Sequence, residues 1–159
     1  MKHRAAAAAR IVGLIATHPD TQPAGVTVSD AFPRTFSVGR EDIHLGDIRP
    51  RLLEPANLAG PPPIGQDLHD EFAVDVWVVV SRPGDSGTDA RARCGALLEA
   101  VVAAIAQHKV LNRGADPHPD LEPVLAAWVS AVDGPSADPV QEGYASMGRV
   151  EVHVIARLD

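Results

Sequence analysis

The sequence predicts an α+β fold: a mainly antiparallel sheet of about 4–5 strands, with a long helix and a short N-terminal helix packed against it. Three observations carry this. Period-two alternation runs through "EFAVDVWVVVS" (Glu71 to Ser81) and again through the closing "GRVEVHVIARLD", which is the repeat of a half-buried strand. Between them, from about Thr88 to His108, apolar residues recur at spacings of three and four, the stripe of a helix that covers a sheet. The chain has 159 residues with 14 Pro and 13 Gly, so long irregular connections join the elements of a single domain, residues 1–159.

Taken in order, residues 4–17 place Ala8, Ile11, Val12 and Ile15 at helical spacing in an Ala-rich context, and His18-Pro19 stops the helix. "VTVSDAF" alternates Val26 and Val28 between Gly25 and Pro33 and reads as a strand. A second strand lies in "FSVGREDIHLGDIRP", with Ile43, Leu45 and Ile48 as its apolar positions. "LLEPANLAGPPPIGQD" contains three consecutive prolines, Pro61 to Pro63, which neither a helix interior nor a central strand accepts, so a Pro-rich loop 54–67 is expected.

The strand Glu71–Ser81 places Phe72, Val74, Val76, Val78 and Val80 on one face and Ala73, Asp75, Trp77, Val79 and Ser81 on the other. That pattern suits a central strand with a helix against its apolar side. In the following helix Cys94, Leu97, Leu98, Val101, Val102 and Ile105 form the covering stripe, leaving Arg93, Ala96, Ala100, Ala103, Ala104 and Gln107 on the exposed back. "PVLAAWVSAVDG" reads as a strand centred on Trp128, although its Ala content also suits a helix. In the last strand Val150, Val152, Val154, Ala156 and Leu158 alternate with Arg149, Glu151, His153, Ile155 and Arg157, and "DGPSADPVQEGYASMG" is the long hairpin connection before it.

Composition excludes several function classes. A formal charge of -7 and an aromatic fraction of 4% oppose a phosphate backbone and leave little to stack bases on, so sequence-specific nucleic-acid binding is disfavoured. Cys94 is the only cysteine, which rules out an intrachain disulfide and fits a reducing cytoplasm. At the N-terminus Arg10 interrupts the apolar run, and Ile11–Ala16 is too short for a membrane span and short for a signal core, so an amphipathic helix is expected there.

The turn "SRPGDSGTDAR" has the outline of a phosphate loop, but Gly84 and Gly87 lack the P-loop spacing and lysine, and Asp85 and Asp89 would repel a phosphate. Its residues suit a helix start instead, with Asp85 or Thr88 accepting from free N–H groups and Asp89 complementing the dipole. His118 stands near Asp116 and Asp120, but Pro117 and Pro119 hold the backbone extended and separate the side chains, which reads as a solvated loop. His69, Asp70 and Glu71 read as a charged edge, and His44 with Glu41, Asp42 and Asp47 makes no convergent set. Cys94 lies on the buried stripe, where a thiol is inert, and no G-x-S-x-G elbow occurs. The expectation is therefore no catalytic residue, no cofactor-binding residue, no metal ligand and no enzyme activity.

The order of elements, with "AGVTVSDAFPRT" after the first helix, "DEFAVDVWVVVSRPGD" running into "DARARCGALLEAVVAAI", and the closing "GRVEVHVIARL", resembles the tail terminator (tail completion) family of long-tailed bacteriophages and prophages. These stretches span most of the chain; it departs from the family pattern in the proline-rich "LLEPANLAGPPPIGQD" and in "GADPHPDLEP". The resemblance implies a structural virion protein, assembled in the bacterial cytoplasm and resident in the tail. It implies a homohexameric ring that caps the tail tube, ends its polymerisation and meets the head-tail connector. The implied partners are further copies of the chain, the major tail tube protein and the connector, with no membrane and with DNA passing through the lumen unread. Two other readings stand beside it: a head-tail adaptor or tube-like protein of the same particle, and a small cytoplasmic α+β enzyme or ligand-binding domain. The last would need a polar pocket between the Thr88 helix and the sheet, near Asp75, Trp77 and His153. Exposure to solvent or to another subunit is the simpler account of those three residues.

Overall fold

The computed structural model describes residues 2–21, 26–31, 39–50, 69–84, 87–108, 111, 117–140 and 143–157. The Pro-rich loop 54–67, Asp85, Asp116 and Leu158 lie outside the described residues. The elements are α1 (Lys2–Thr17), β1 (Val26–Ser29), β2 (Glu41–Pro50), β3 (His69–Pro83), α2 (Gly87–Ala106), a single 3-10 turn (Pro119–Leu121), β4 (Val124–Asp133), β5 (Asp138–Val140) and β6 (Gly143–Arg157). The fold is α+β, with both helices on one face of the sheet.

The sheet is larger and less uniform than expected. It has six strands in the order β1-β2-β3-β6-β4, with β5 also pairing β6. It is mixed, because β1 runs parallel to β2, Val26 opposite Glu41 through Ser29 opposite His44. The expected hairpin connection contributes the extra strand: β5 pairs Asp138–Val140 with Gly143–Ala145, and β6 starts at Gly143 instead of near Gly148. Gly134 makes this possible. It holds a φ of 93°, and a Cβ there would sit 2.7 Å from the Met147 carbonyl oxygen, so the chain leaving β4 turns tightly against β6.

The core follows the alternation. Phe72, Val74, Val76, Val78 and Val80 of β3 and Val150, Val152, Val154 and Ala156 of β6 are all buried. They pack beneath Cys94, Leu97, Leu98, Val101 and Ile105 of α2 and Ile11 and Ile15 of α1. Each such aliphatic side chain contributes about 1.5–3 kcal/mol by leaving water. The helical stripe is wider than the sequence suggested, since Ala100 and Ala104, expected on the back of α2, are buried. The reason is α1, which packs against α2 as well as against the sheet, and small side chains let the two helices approach. α2 begins at Gly87, whose missing Cβ leaves room for the Tyr144 ring, so Thr88 lies inside the first turn with Asp89.

Two ion clusters fasten the layers. Asp70, expected in a charged edge, is buried on the helix face of β3. It accepts from Arg4 Nε and Nη2 at 2.7 and 2.6 Å and lies 2.7 Å from His3 Nε2. Those hydrogen bonds, Arg4 first, hold its carboxyl down at about 2, and the Arg4 guanidinium also lies over the Phe72 ring at 5.6 Å. Glu41 does the same for α2. Arg93 was expected on the exposed back, but it reaches the sheet margin and donates to Glu41 Oε2 at 2.8 Å, with Arg82 donating to Oε1. The Arg93 hydrogen bond leads in pulling the Glu41 carboxyl below its ordinary range.

Replacing Asp70 by Asn is expected to lower stability near pH 7 by on the order of 1–2 kcal/mol, allowing for solvent screening of a partly exposed cluster. The folded-state value lies below the ordinary 3.8, so the contribution is present above that value and lost as the pH falls through about 2. Urea denaturation of the two chains should differ at neutral pH and converge toward pH 2. A gap that stays constant down to that pH would show that the ionised carboxylate is not its source.

Candidate functional site

The sheet face turned away from the helices carries the polar chemistry of the fold. The register decides which residues meet there. In the β3–β6 ladder Asp75 lies directly opposite Glu151, and two carboxylates in that position repel. Arg49 resolves the conflict. It donates to Asp75 from Nε and Nη2 at 3.1 and 2.8 Å and to Glu151 from Nη2 at 2.7 Å. Arg149 approaches Asp75 from the other side at 3.6 Å and donates to Asp133 through Nε at 3.0 Å. Ser130 completes the chain by donating to Glu151 Oε1 at 2.6 Å. One network therefore ties β2, β3, β6 and β4 together.

Arg49 can reach this face only because β2 is bulged. Leu45 pairs with Val76 and Ile48 with Val74, so two residues, Gly46 and Asp47, stand opposite the single Asp75. The extra residue reverses the parity of the strand. Before it Asp42 and His44 point to the polar face, and after it Arg49 does. Gly46 is required there because a Cβ would sit 2.6 Å from Trp77 Nε1. The Trp77 ring covers that glycine, and Arg149 lies 6.0 Å from its centroid.

A second group centres on His153. Trp128 stacks on its ring at 4.4 Å and 23°, and Glu71 Oε2 stands 3.4 Å from Nε2. Further along β2, Asp42 and His44 are buried on the same face. Asp42 Oδ1 lies 3.3 Å from Arg40 Nε, while Oδ2 has no hydrogen-bond partner among the described residues. Burial pushes the His44 imidazole below its ordinary value, against an opposing pull from Asp42.

Chemically the main network is a brace. The Ser130 hydroxyl first and Arg49 second hold Glu151 below the usual carboxylate range, which makes it a poor general acid near neutrality. Arg49 and Arg149 are raised, chiefly by Asp75 and Asp133 respectively, and stay charged. Cys94 is buried with its sulfur 3.9 Å from the Val78 carbonyl oxygen, and desolvation pushes the thiol up, so little thiolate forms. Among the described residues no three of His, Cys, Asp and Glu converge as metal ligands.

The residues singled out in the sequence separate as follows. Asp75, Trp77 and His153 share one face, but it is the face away from α2, so the polar pocket imagined between the Thr88 helix and the sheet does not form around them. Nor are all three simply exposed: Asp75 and His153 are 4% and 1% accessible, and Trp77 is half-buried. His118 is exposed and caps the 3-10 turn, its Nδ1 accepting from the Asp120 amide, which brings Asp120 back toward it. Glu41 and Asp42, adjacent in sequence, face opposite sides of the sheet, and Asp47 sits in the bulge. Sequence reading missed Arg49, Ser130 and Asp133 because their positions depend on pairing. The alternation of Asp75 and Trp77 in β3 and of Arg149, Glu151 and His153 in β6 marked the face in advance.

Gly46→Ala is expected to displace Trp77, lowering stability by about 1–3 kcal/mol and altering tryptophan emission. Gly13 in α1 is the control: a Cβ there meets nothing within 4 Å, and Ala should be neutral or stabilising by about 0.5–1 kcal/mol. Thermal melts and emission spectra of both variants decide the matter; an unchanged spectrum for Gly46→Ala would mean that Trp77 does not seat on the bulge. No protein-family model and no curated protein matches this chain, so the functional reading rests on its residues and their arrangement.

Proposed function

We propose that the chain is a structural subunit that assembles with copies of itself into a ring capping a phage tail tube, as a tail terminator does, ending tube growth and presenting the head-joining surface. The observation that carries this reading is the uneven covering of the sheet. The two helices cover most of one face, while β1 and β4 end the strand order with no further strand beyond them among the described residues. Cyclic rings need two different surfaces on each subunit, and two dissimilar sheet margins supply them.

Surface apolarity supports the same reading. Of the large hydrophobic side chains exposed among the described residues, Leu125, Trp128, Val132, Val140 and Met147 lie on β4, β5 and β6, and Ile48 lies on β2. A concentration of that kind at one margin marks an interaction surface better than scattered residues would. The braced polar face is chemically quiet, as a scaffold requires. A net charge of -7 suits a lumen through which a polyanion slides without adhering.

Light scattering and negative-stain microscopy of the purified chain, alone and mixed with tail tube subunits, test the proposal. A hexamer or small ring is expected, formed alone or on tube ends, together with arrest of tube lengthening. A chain that stays monomeric and leaves tube growth unchanged would overturn it.

A further inference from the structure

We infer that the corner of the sheet where β1 rests on β2 is an acid-sensitive joint: a proton taken up by His44 releases β1 from β2 while the β3–β6 ladder stays closed. The device belongs to the fold of the single chain and does not depend on the assembly proposed above.

The pairing places the chemistry. β1 has four residues, all half-buried, and its only strand neighbour among the described residues is β2. The β2 residues it pairs with are Glu41, Asp42, Ile43 and His44. Three of these are ionisable, and they are buried to 6%, 2% and 1% accessibility. A short edge strand therefore abuts a row of buried titratable groups. An element with so few fully buried contacts opens locally at lower cost than the core does.

The three groups are not equally provided for. On the helix face Glu41 is answered by Arg82 and Arg93. On the other face Asp42 has Arg40 beside one oxygen, while the second, itself buried, meets no hydrogen-bond donor among the described residues. His44 follows two residues later on that face. Of the described elements against it, β1 brings Thr27 and Ser29, which do not titrate. β3 brings Trp77 directly opposite, with Asp75 beyond it, and Asp75 is already bridged by Arg49 and Arg149. β2 itself brings Asp42 with Arg40. Asp42 pulls His44 toward the charged form, but burial opposes it and prevails.

A neutral imidazole is thus closed into the joint. Once β1 withdraws, His44 meets water and takes its proton at the ordinary value of 6.5. Between its lower folded value and 6.5 the open form binds more protons than the closed one, so closure weakens as the pH falls below 6.5. One proton limits the slope to about tenfold in the opening constant per pH unit. Glu41 enters only below its ordinary 4.5, since Arg93 holds its carboxyl lower still in the closed form.

Hydrogen exchange of the full chain, read by mass spectrometry between about pH 7 and about pH 5 with exposure times scaled to cancel intrinsic catalysis, tests the joint. Peptides covering 26–29 and 41–45 are expected to lose protection at least about fivefold across that interval, while those covering 72–78 and 150–156 keep theirs. His44→Gln, which cannot titrate, is expected to flatten the pH dependence. His153→Gln, at the other buried histidine of this face, is expected to leave it intact. The wild-type chain gives an independent reading by NMR, in which the His44 imidazole should titrate with a midpoint below 6.5. Protection of β1 that does not change with pH, a loss that runs equally through β3 and β6, an unaltered profile in His44→Gln, or a His44 midpoint at or above 6.5 would each overturn the inference.

Discussion

The fold depends on one ladder. β3 and β6 pair through fifteen consecutive positions, from His69 opposite Arg157 to Pro83 opposite Gly143, with no shift of register. Because side chains alternate, that single register assigns both faces of both strands at once. It sends Phe72, Val74, Val76 and Val78 with Val150, Val152 and Val154 under the helices, and Asp75 with Arg149, Glu151 and His153 to the other side. A slip of one residue in β6 would drive Arg149, Glu151 and His153 under α2 and turn three valines outward. The desolvation penalty of buried charges makes such a slip improbable. The same register creates the Asp75–Glu151 opposition, and the rest of the polar face is arranged to relieve it.

That relief links a backbone irregularity to a charge problem. Without the extra residue at Gly46 and Asp47, parity would place Arg49 on the apolar face, where it could not bridge the two carboxylates. The bulge therefore turns β2 from a plain neighbour of β3 into the source of the bridging cation. Local geometry and electrostatics are consequences of the same inserted residue.

The parts of this that were legible in the sequence are those set by periodicity within one segment. β3, α2 and β6, their apolar faces and the burial of Cys94 all follow from repeats of 2 and 3.6. The parts that were not legible depend on a partner. That β1 is parallel to β2 cannot be read from "VTVS", since four residues carry no direction. β5 has three residues and no repeat at all, so it was absorbed into a connection. Asp70 looked like a surface charge because its partners, His3 and Arg4, lie more than sixty residues away. Ala100 and Ala104 looked exposed because nothing in α2 announces that α1 lies against it. The polar network was hidden for the same reason: its members come from four strands, and only the register brings them together.

The margins decide whether a further strand could be added to the sheet. The nine residues Val124–Val132 carry no charge and no proline, two of the usual devices that keep an edge strand from templating another chain. β4 uses a third device. Its pairing with β6 shifts at Leu125 and again at Ser130, and each bulge twists the outer edge and breaks the even row of N–H and C=O groups that a long added strand would need. Addition of an extended backbone ladder is thus obstructed on this side, while Val132 and the flank of α2 are uncovered by any of the described residues.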